Sequence, residues 1–331
     1  MNSFGNIFRV TIFGESHGIN IGVVIDGVPA GISIQPEDFI ADFQRRKSGS
    51  KGTTPRQEDD IPQIVSGVFN DTTTGAPIAI IFENKNTKSK DYSFLKETPR
   101  PGHADFVASK KFGGFEDYRG GGHFSGRITL GLVAAGVIAK KIIAPVIVKA
   151  RLSEAGGNTN IDEAVEKAIQ EQDSIGGIVE CTAINMPVGI GEPFFNSLDA
   201  VLSHMMFSIP AIKGIEFGVG FAAAKLKGSE HNDCFINTEG KTATNNAGGI
   251  NGGISNGNDL IFRVVVKPTS STPKSQRTLN FKTGEMTDLK IEGRHDLCIA
   301  LRMPVIVEAA TAIVLADFML QAQFRKRIIK D

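Results

Sequence analysis

The sequence contains no tryptophan, two tyrosines and only three cysteines in 331 residues. Because Cys181, Cys234 and Cys298 are widely spaced and odd in number, they argue against a disulfide framework and for a reducing compartment. Net charge is also lacking, since 36 basic side chains balance 36 acidic ones. A neutral chain has no overall field that attracts nucleic acid or an anionic membrane, so we expect neither partner.

Targeting and membrane-spanning segments are not predicted either. The opening residues, MNSFGNIFRV, have no basic start followed by a long apolar run. The longest apolar candidate, residues 128–148, is interrupted by Lys140, Lys141 and Pro145, which makes it unsuitable for crossing a bilayer. We therefore expect a soluble, cytoplasmic protein.

Glycine, in contrast, is abundant: the chain has 37, with clusters at residues 120–122, 248–249 and 252–253. Glycine permits positive φ and a close approach of the backbone. Such clusters form either flexible loops or backbone that is pressed against a ligand. The polar residues that flank two of these clusters favour the second possibility.

Apolar periodicity predicts both strands and helices. The predicted strands cover residues 7–13, 19–26, 61–68, 77–82, 177–185, 215–224 and 259–266. The predicted helices cover residues 36–46, 125–142, a segment that follows the capping residue Asn160, and 305–328. Strands and helices alternate only loosely, which indicates an α+β or layered α/β protein. Residues 245–258 have the composition of a linker.

The segment GESHG, residues 14–18, matches the G-x-S-x-G pattern of serine hydrolases. A nucleophile elbow needs a strand before the serine and a helix after it. Here a β-branched segment that ends in an Asp-Gly turn follows Gly18, so we predict a hairpin and not a hydrolase. Ser16 and His17 are then expected to be exposed at the hairpin tip, as an ordinary polar turn or as part of a site.

A second histidine lies in RPGHAD, residues 100–105, on a Pro-Gly turn beside Arg100 and Asp105. Histidine titrates near neutral pH and is the commonest acid–base group in enzymes. A solvated loop histidine is the simpler alternative for His103.

The segment DYRGGGHFSGR, residues 117–127, places three glycines before His123, Ser125 and Arg127, at the predicted start of a helix. Backbone amides at a helix N-terminus bind anions when glycine allows a close approach. We favour an anion site over a flexible loop with a serine cap.

Polar groups also cluster in the last third of the chain. The loop GGISNG (252–257) leads through a strand to KPTSS (267–271), a combination of lysine and hydroxyls that suits a phosphate monoester. The stretch 293–309 crowds charged residues into an apolar segment, and such charges are costly unless they are paired or used. No metal-ligand spacing is present. This inventory fits an enzyme that handles phosphorylated, acidic small molecules.

In order and spacing, FRVTIFGESHG, RPGHAD, DYRGGG, GGISNG, KPTSS, GRHD and PVIVEA resemble the chorismate synthase family over essentially the whole chain. The resemblance implies an α+β fold, a layered β-α sandwich, with a single large domain over residues 1–331 and a homotetrameric assembly. It implies a carbon–oxygen lyase acting on phosphates. The reaction is the anti-1,4-elimination of phosphate from 5-enolpyruvylshikimate 3-phosphate to chorismate, the last common step of the shikimate pathway to aromatic amino acids.

The resemblance also implies a cofactor, reduced FMN, although the reaction has no net redox change. It leaves open whether NADPH or an external reductant reduces the flavin. Relatives commonly carry Arg where this chain has His123 and Glu where it has Ile128. These departures motivate one alternative, a flavin or phosphometabolite sensor that has kept the fold without the activity.

Residue roles follow from the resemblance alone. His17 and His103 match two catalytic histidines, one near the substrate phosphate and one near the flavin. Asp296 matches an aspartate that helps to remove the ring proton. The remaining catalytic positions are Ser16 and Ser125. Flavin-contacting positions are His123, Phe124, Ser125, Pro210, Ala211, Gly252, Lys267, Pro268, Thr269, Ser270, Ser271 and Arg294. Substrate- or nucleotide-binding positions are Arg45, Lys51, Arg127 and Arg302. No metal is implied, and we expect residues 16–17, 103, 123–127 and 294–302 to converge on one cleft.

Overall fold

The structure is a computed structural model that describes residues 1–56, 58–87, 94–291 and 295–324. Its strands are β1 (Ser3–Phe4), β2 (Arg9–Gly14), β3 (Asn20–Asp26), β4 (Gln63–Ser66), β5 (Val68–Phe69), β6 (Thr72–Thr73), β7 (Ile78–Glu83), β8 (Ile147–Ala155), β9 (Gly177–Ile184), β10 (Ile212–Phe217), β11 (Ile250–Asn251), β12 (Ile254–Ser255), β13 (Leu260–Val266), β14 (Gln276–Leu279) and β15 (Met286–Leu289). Its helices are α1 (Ile40–Arg46), α2 (Asp105–Phe112), α3 (Thr129–Ile142), α4 (Ile161–Glu171), α5 (Leu198–Ser208), α6 (Gly228–His231) and α7 (Met303–Phe324).

Two antiparallel sheets form the outer layers of the fold. The first has the strand order β1-β2-β3-β7-β4, and the second has the order β10-β13-β9-β8. In β7, buried Ile78, Ile80 and Phe82 alternate with more exposed residues. This period of two gives the first sheet one apolar face, and that face must be covered.

Helices α3 and α7 lie between the sheets and cover both apolar faces. Helix α3 packs on β2 and β3, α7 packs on β8 and β9, and the two helices pack on each other. Gly136 allows this close packing, because a Cβ atom there would overlap Ala309 of α7. The layers confirm the predicted α+β fold, a layered β-α sandwich.

Helix α7 is apolar nearly all round, and its buried polar side chains are all paired. Asp317 accepts hydrogen bonds from the backbone amides of Asn6, Ile7 and Phe8 at 2.9, 2.7 and 3.0 Å. Glu308 accepts from Arg45 at 2.6 Å and from the amide of Ala150 at 2.8 Å. A buried carboxylate is tolerated because such donors replace its water, so α7 ties the chain's two ends together.

One helix among the described residues is long and apolar enough to cross a membrane, and it is not the apolar segment 128–148 considered from the sequence. Among the described residues it is Ile299–Ala322, which includes most of α7, and 78% of its most apolar window is buried inside the protein. Burial between two sheets is the environment of the core helix of a soluble protein.

Several predicted elements agree with the structure, and two do not. The predicted strand at 215–224 ends at Phe217, because Gly218 turns with φ of +55° against the backbone of Asn246 and a 3-10 turn follows. Residues 245–258 are not a linker, since they contain the β11–β12 hairpin. Neither α5 nor β8 was predicted, and the end of the predicted helix 305–328 lies outside the described residues.

Candidate active site

A cavity of about 870 Å³ lies beside the β1–β2 edge of the first sheet, the C-terminal end of α5 and the segments that precede α3 and α7. That volume is at the upper end of the range for ligand pockets. It brings together residues that are far apart in the sequence. The predicted site residues that line it are Ser16, His103, His123, Phe124, Ser125, Arg127, Pro210, Ala211, Lys267, Pro268, Thr269, Ser270, Asp296 and Arg302.

Ser16 and His17 lie in the turn between β2 and β3, which pair antiparallel from Arg9–Asp26 to Gly14–Ile21. The hairpin excludes the hydrolase elbow, because no helix follows the serine. The expected exposure of this turn was wrong: Ser16 is 0% and His17 is 7% exposed. The turn is covered by residues 117–122, and the Ser16 amide donates to the Gly122 carbonyl at 3.0 Å.

Gly120, Gly121 and Gly122 all have positive φ, at 59°, 81° and 52°. A Cβ atom at Gly120 would lie 2.5 Å from Cδ2 of His17, and one at Gly121 would lie 3.3 Å from Cε1 of His103. Only glycine therefore fits between the two histidines. These glycines therefore allow the backbone to pack closely against the candidate catalytic histidines, and they do not serve only to make the loop flexible.

His103 lies on the predicted Pro-Gly turn with both charged neighbours in contact. Its Nδ1 atom is 2.6 Å from Oδ1 of Asp105, and the Asp105 carboxylate binds Arg100 through Nε at 2.7 Å and Nη2 at 2.8 Å. Burial alone would raise the pKa of Asp105, but the hydrogen bonds from Arg100 and His103 outweigh it and hold that pKa well below its usual range.

The segment at Lys267 is joined to this turn. Lys267 Nζ donates to the Gly102 carbonyl at 2.6 Å, and Ser270 Oγ donates to the same oxygen at 2.8 Å. Burial, followed by the charge of Lys213, lowers the pKa of Lys267. Thr269 Oγ1 is buried without a hydrogen-bond partner among the described residues, and a buried hydroxyl normally has one. Two lysines beside a partnerless hydroxyl suit an anionic ligand.

A second part of the lining carries three arginines and two aspartates. Asp60 is buried between Arg46 and Arg127, with ion pairs to both. Asp296 accepts from the Thr54 amide at 3.0 Å and pairs with Arg302 at 3.3 Å.

Burial and neighbouring like charges both act on Arg46 at this wall. Burial lowers the pKa of Arg46 to about 9, and the charge of Arg302 acts in the same direction. Each further cation nearby makes the protonated form of Arg46 less favourable. A bound anion would offset this repulsion, so this wall suits an anionic ligand.

His123 and Ser125 have structural partners in addition to lining the cavity. His123 Nδ1 lies 2.8 Å from the Gly14 carbonyl, and Nε2 lies 3.1 Å from Oδ1 of Asn2. Ser125 caps the short helical turn before α3 by accepting from the Arg127 amide at 3.3 Å. Both residues therefore hold the walls of the cavity in place.

Of the predicted residues that the structure describes, five are not among those lining the cavity. Arg45 pairs with Glu308, and Lys51 pairs with Glu166 on the surface. Ser271 is buried against Arg100. Gly252 lies in the β11–β12 turn, at the opposite end of β13 from Lys267. His17 is buried behind Gly120, and Arg294 lies outside the described residues.

Sequence reasoning missed several residues of the site. Arg46 was only the last residue of the predicted helix 36–46 and was given no part in the site, and Arg56 and Lys213 were not singled out. Arg56 donates to Oγ and to the carbonyl of Ser16, both at 3.2 Å. Arginines at the ends of short elements, beside acidic residues such as Asp60, were the available signal.

The lining has an excess of positive charge that the neutral chain conceals. Eight Lys or Arg side chains line it against three Asp or Glu. Fixed cations in a partly enclosed site strengthen the binding of anions. Among the described residues, no group of three or more His, Cys, Asp or Glu side chains is arranged to hold a metal ion.

The layered α+β fold surrounds a cationic cavity with two buried or half-buried histidines, an arrangement suited to an anionic small molecule. The model of the family described as Chorismate synthase matches residues 8–320, and the chain belongs to this family. Its members are lyases that act on a small molecule and use a flavin.

Individual relatives agree with this assignment. The chain is 64% identical to the Chorismate synthase of Chitinophaga pinensis, covering 100% of both chains. It is 43% identical to the Chorismate synthase of Methanocaldococcus jannaschii, covering 98% of this chain and 97% of that one. A solved structure entitled "Crystal Structure of Chorismate Synthase" shares the fold, with a TM-score of 0.73 and 24% identity over 96% of this chain and 93% of that chain.

Proposed function

We propose that the chain, as one domain over residues 1–331, catalyses the anti-1,4-elimination of phosphate from 5-enolpyruvylshikimate 3-phosphate to chorismate, the last common step of the shikimate pathway. The observation that carries the proposal is the convergence of His103, Ser125, Asp296 and the cationic walls on one cavity, with His17 directly behind Gly120. A phosphate leaves as an anion, and fixed cations stabilise its developing charge.

Each wall of the cavity has its own part in this chemistry. Arg46, Arg127 and Arg302 are held by Asp60 and Asp296 and supply positive charge at fixed positions. His17 and His103 are the proton donors, one near the leaving phosphate and one near the cofactor. Asp296 is the group that helps to remove the ring proton. Because these residues come from separate elements, the fold itself supplies their orientation.

The residues present fit reduced FMN as the cofactor. Lys267, Thr269 and Ser270 would hold its phosphate, and the partnerless Oγ1 of Thr269 is the observation that supports this fit. Phe124, Pro210 and Ala211 would contact the ring. When bound, reduced FMN supplies electron density to the breaking C–O bond, which is chemistry of the cofactor. NADPH remains a candidate reductant besides an external one.

The proposal extends to assembly and location. The chain is proposed to be a cytoplasmic homotetramer with no nucleic-acid or membrane partner. Gly252 is separated from its own chain's cavity by the length of β13, so a contact of Gly252 with flavin would require the cavity of a neighbouring copy. Arg45 and Lys51 would likewise act only after leaving their present ion pairs.

The test is an anaerobic reaction of the protein with reduced FMN and 5-enolpyruvylshikimate 3-phosphate. We expect stoichiometric release of phosphate and chorismate, and loss of turnover with retained FMN binding in His17→Ala and Asp296→Ala. Tight FMN binding without turnover in the unaltered chain would contradict the proposal and favour the sensor. Labelling of Ser16 by a fluorophosphonate would favour a hydrolase.

A further inference from the structure

The Arg100–Asp105 ion pair has no role in the proposed reaction so far, although it touches a candidate proton donor. Asp105 is the first residue of α2, and the Pro101–Gly102 turn brings Arg100 and His103 to the same side of it. The side chains of Arg100 and Asp105 are only 5% and 6% exposed. A buried pair of this kind fixes geometry better than it adds stability.

The hydrogen bonds of Arg100 are already assigned within the protein. Nε and Nη2 donate to the two oxygens of Asp105, and Nη1 donates to Oγ of Ser271 at 3.0 Å. All three guanidinium nitrogens therefore have acceptors in the protein. Although Arg100 lines the cavity, its contacts are those of a residue that orients a neighbour.

The carboxylate dictates which nitrogen of His103 carries a proton. An ionised carboxylate can only accept hydrogen bonds, and Oδ1 of Asp105 lies 2.6 Å from Nδ1 of His103. Nδ1 must therefore be the donor. Nη2 of Arg100 also lies 3.1 Å from Nδ1, but two donors cannot bond each other, so Nη2 is satisfied by Oδ1 at 2.8 Å.

The other edge of the imidazole is left for chemistry. His103 lines the cavity, and Gly121 faces the Nε2 edge of its ring, because a Cβ atom at Gly121 would lie 3.4 Å from Nε2. We propose that Asp105, held by Arg100, is a positioning residue that fixes His103 with its proton on Nδ1 and makes Nε2 the atom that exchanges a proton in the cavity. The kinetic part of this inference rests on the proposed function.

The direct test is the tautomer of His103 in the protein without added ligand. Long-range ¹H–¹⁵N spectra of ¹⁵N-histidine-labelled protein at pH 8.5 report which nitrogen is protonated. The His103→Gln spectrum assigns the signal among the six histidines. We expect Nδ1–H in the unaltered chain and a shift toward Nε2–H in Asp105→Asn.

The matched control is Asp26→Asn, which also removes a carboxylate bound to an arginine, Arg9, but on the surface away from the cavity. It should leave the His103 signal unchanged. An Nε2–H tautomer in the unaltered chain, or no change in Asp105→Asn, overturns the inference. If Asp105→Asn does not fold, Arg100→Gln serves instead and should broaden the tautomer distribution.

Kinetics supply the second readout. Carboxylates that fix a histidine tautomer or ligand orientation cost on the order of 10–10⁴-fold in activity when they are altered. We expect Asp105→Asn to lower kcat by at least about 10²-fold, with KM for the phosphorylated substrate changed less than about threefold. A rise in KM at constant kcat contradicts positioning. If the unaltered chain shows no turnover, the proposed function fails, while the tautomer result still decides the present inference.

Discussion

Asp60 is the carboxylate whose removal should cost the most among the charged residues of the cavity. It is 5% exposed, and it pairs with Arg46 and Arg127, which are themselves 2% and 8% exposed. Asp60→Asn is the appropriate perturbation, because Asp60 has φ of +56° and asparagine tolerates that conformation. The change removes one charge and leaves shape and backbone as they are.

The expected magnitude follows from burial. Breaking a buried ion pair by removing one partner costs about 3–5 kcal/mol, because the other charge stays buried without compensation. Here two guanidinium groups lose their common partner, and Arg302 is close enough to lower the pKa of Arg46 already. We therefore expect Asp60→Asn to lower the free energy of unfolding by about 3–5 kcal/mol.

The assay is guanidinium unfolding at one fixed protein concentration, with and without inorganic phosphate. Asp173→Asn is the control, since Asp173 pairs with Lys274 at 3.2 Å on the surface and should cost about 0–1 kcal/mol. Phosphate should reduce the difference in unfolding free energy between Asp60→Asn and the unaltered chain, because an anion bound in the cavity replaces part of the lost negative charge. A loss below about 1 kcal/mol would refute the argument from burial.

Two further predictions concern the glycine cluster and acid stability. Gly120→Ala should lower the free energy of unfolding by at least about 1 kcal/mol more than Gly31→Ala does, and it should also lower turnover at least tenfold. Both glycines have positive φ, but only at Gly120 would the added Cβ atom overlap His17. Equal losses of unfolding free energy in the two variants, together with unaltered turnover in Gly120→Ala, would contradict this prediction. Burial alone would raise the pKa of Glu308, but hydrogen bonds from Arg45 and Ala150 hold that pKa below its usual value. The ionised Glu308 therefore stabilises the fold above about pH 4.3, and this contribution is lost as pH falls through the lowered pKa. Unfolding midpoints from pH 7 to 3 should fall more steeply for the unaltered chain than for Glu308→Gln, and parallel curves would count against this role.

Local patterns were sufficient to predict the elements that carry strong periodicity. The β2–β3 hairpin, α1, α3 and α4 follow from apolar spacing and capping, and Asn160 does accept from the Glu163 amide at 3.3 Å. Helix α5 was missed because its apolar residues are buried by α7 and β10, a tertiary circumstance that no local pattern shows. β10 was extended too far because the turn at Gly218 depends on Asn246.

The site divides in the same way. Motifs identified the histidines, Ser125 and the Lys267 segment, since each stands in a short local pattern. The burial of Ser16 and the role of Asp60 depend on segments that arrive from elsewhere in the chain, so the sequence could not show them. Arg45 and Lys51 do not line the cavity as expected, because each pairs with a carboxylate that is remote in the sequence, Glu308 for Arg45 and Glu166 for Lys51.

The position of α7 has a consequence for biosynthesis. Its Asp317 binds the amides of residues 6–8, and its apolar surface covers the second sheet. At roughly 5–20 residues per second, a ribosome needs about 15–60 s to reach this helix. During that interval the apolar face of the second sheet lacks the helix that covers it, so we expect the nascent chain to need chaperone protection until α7 emerges.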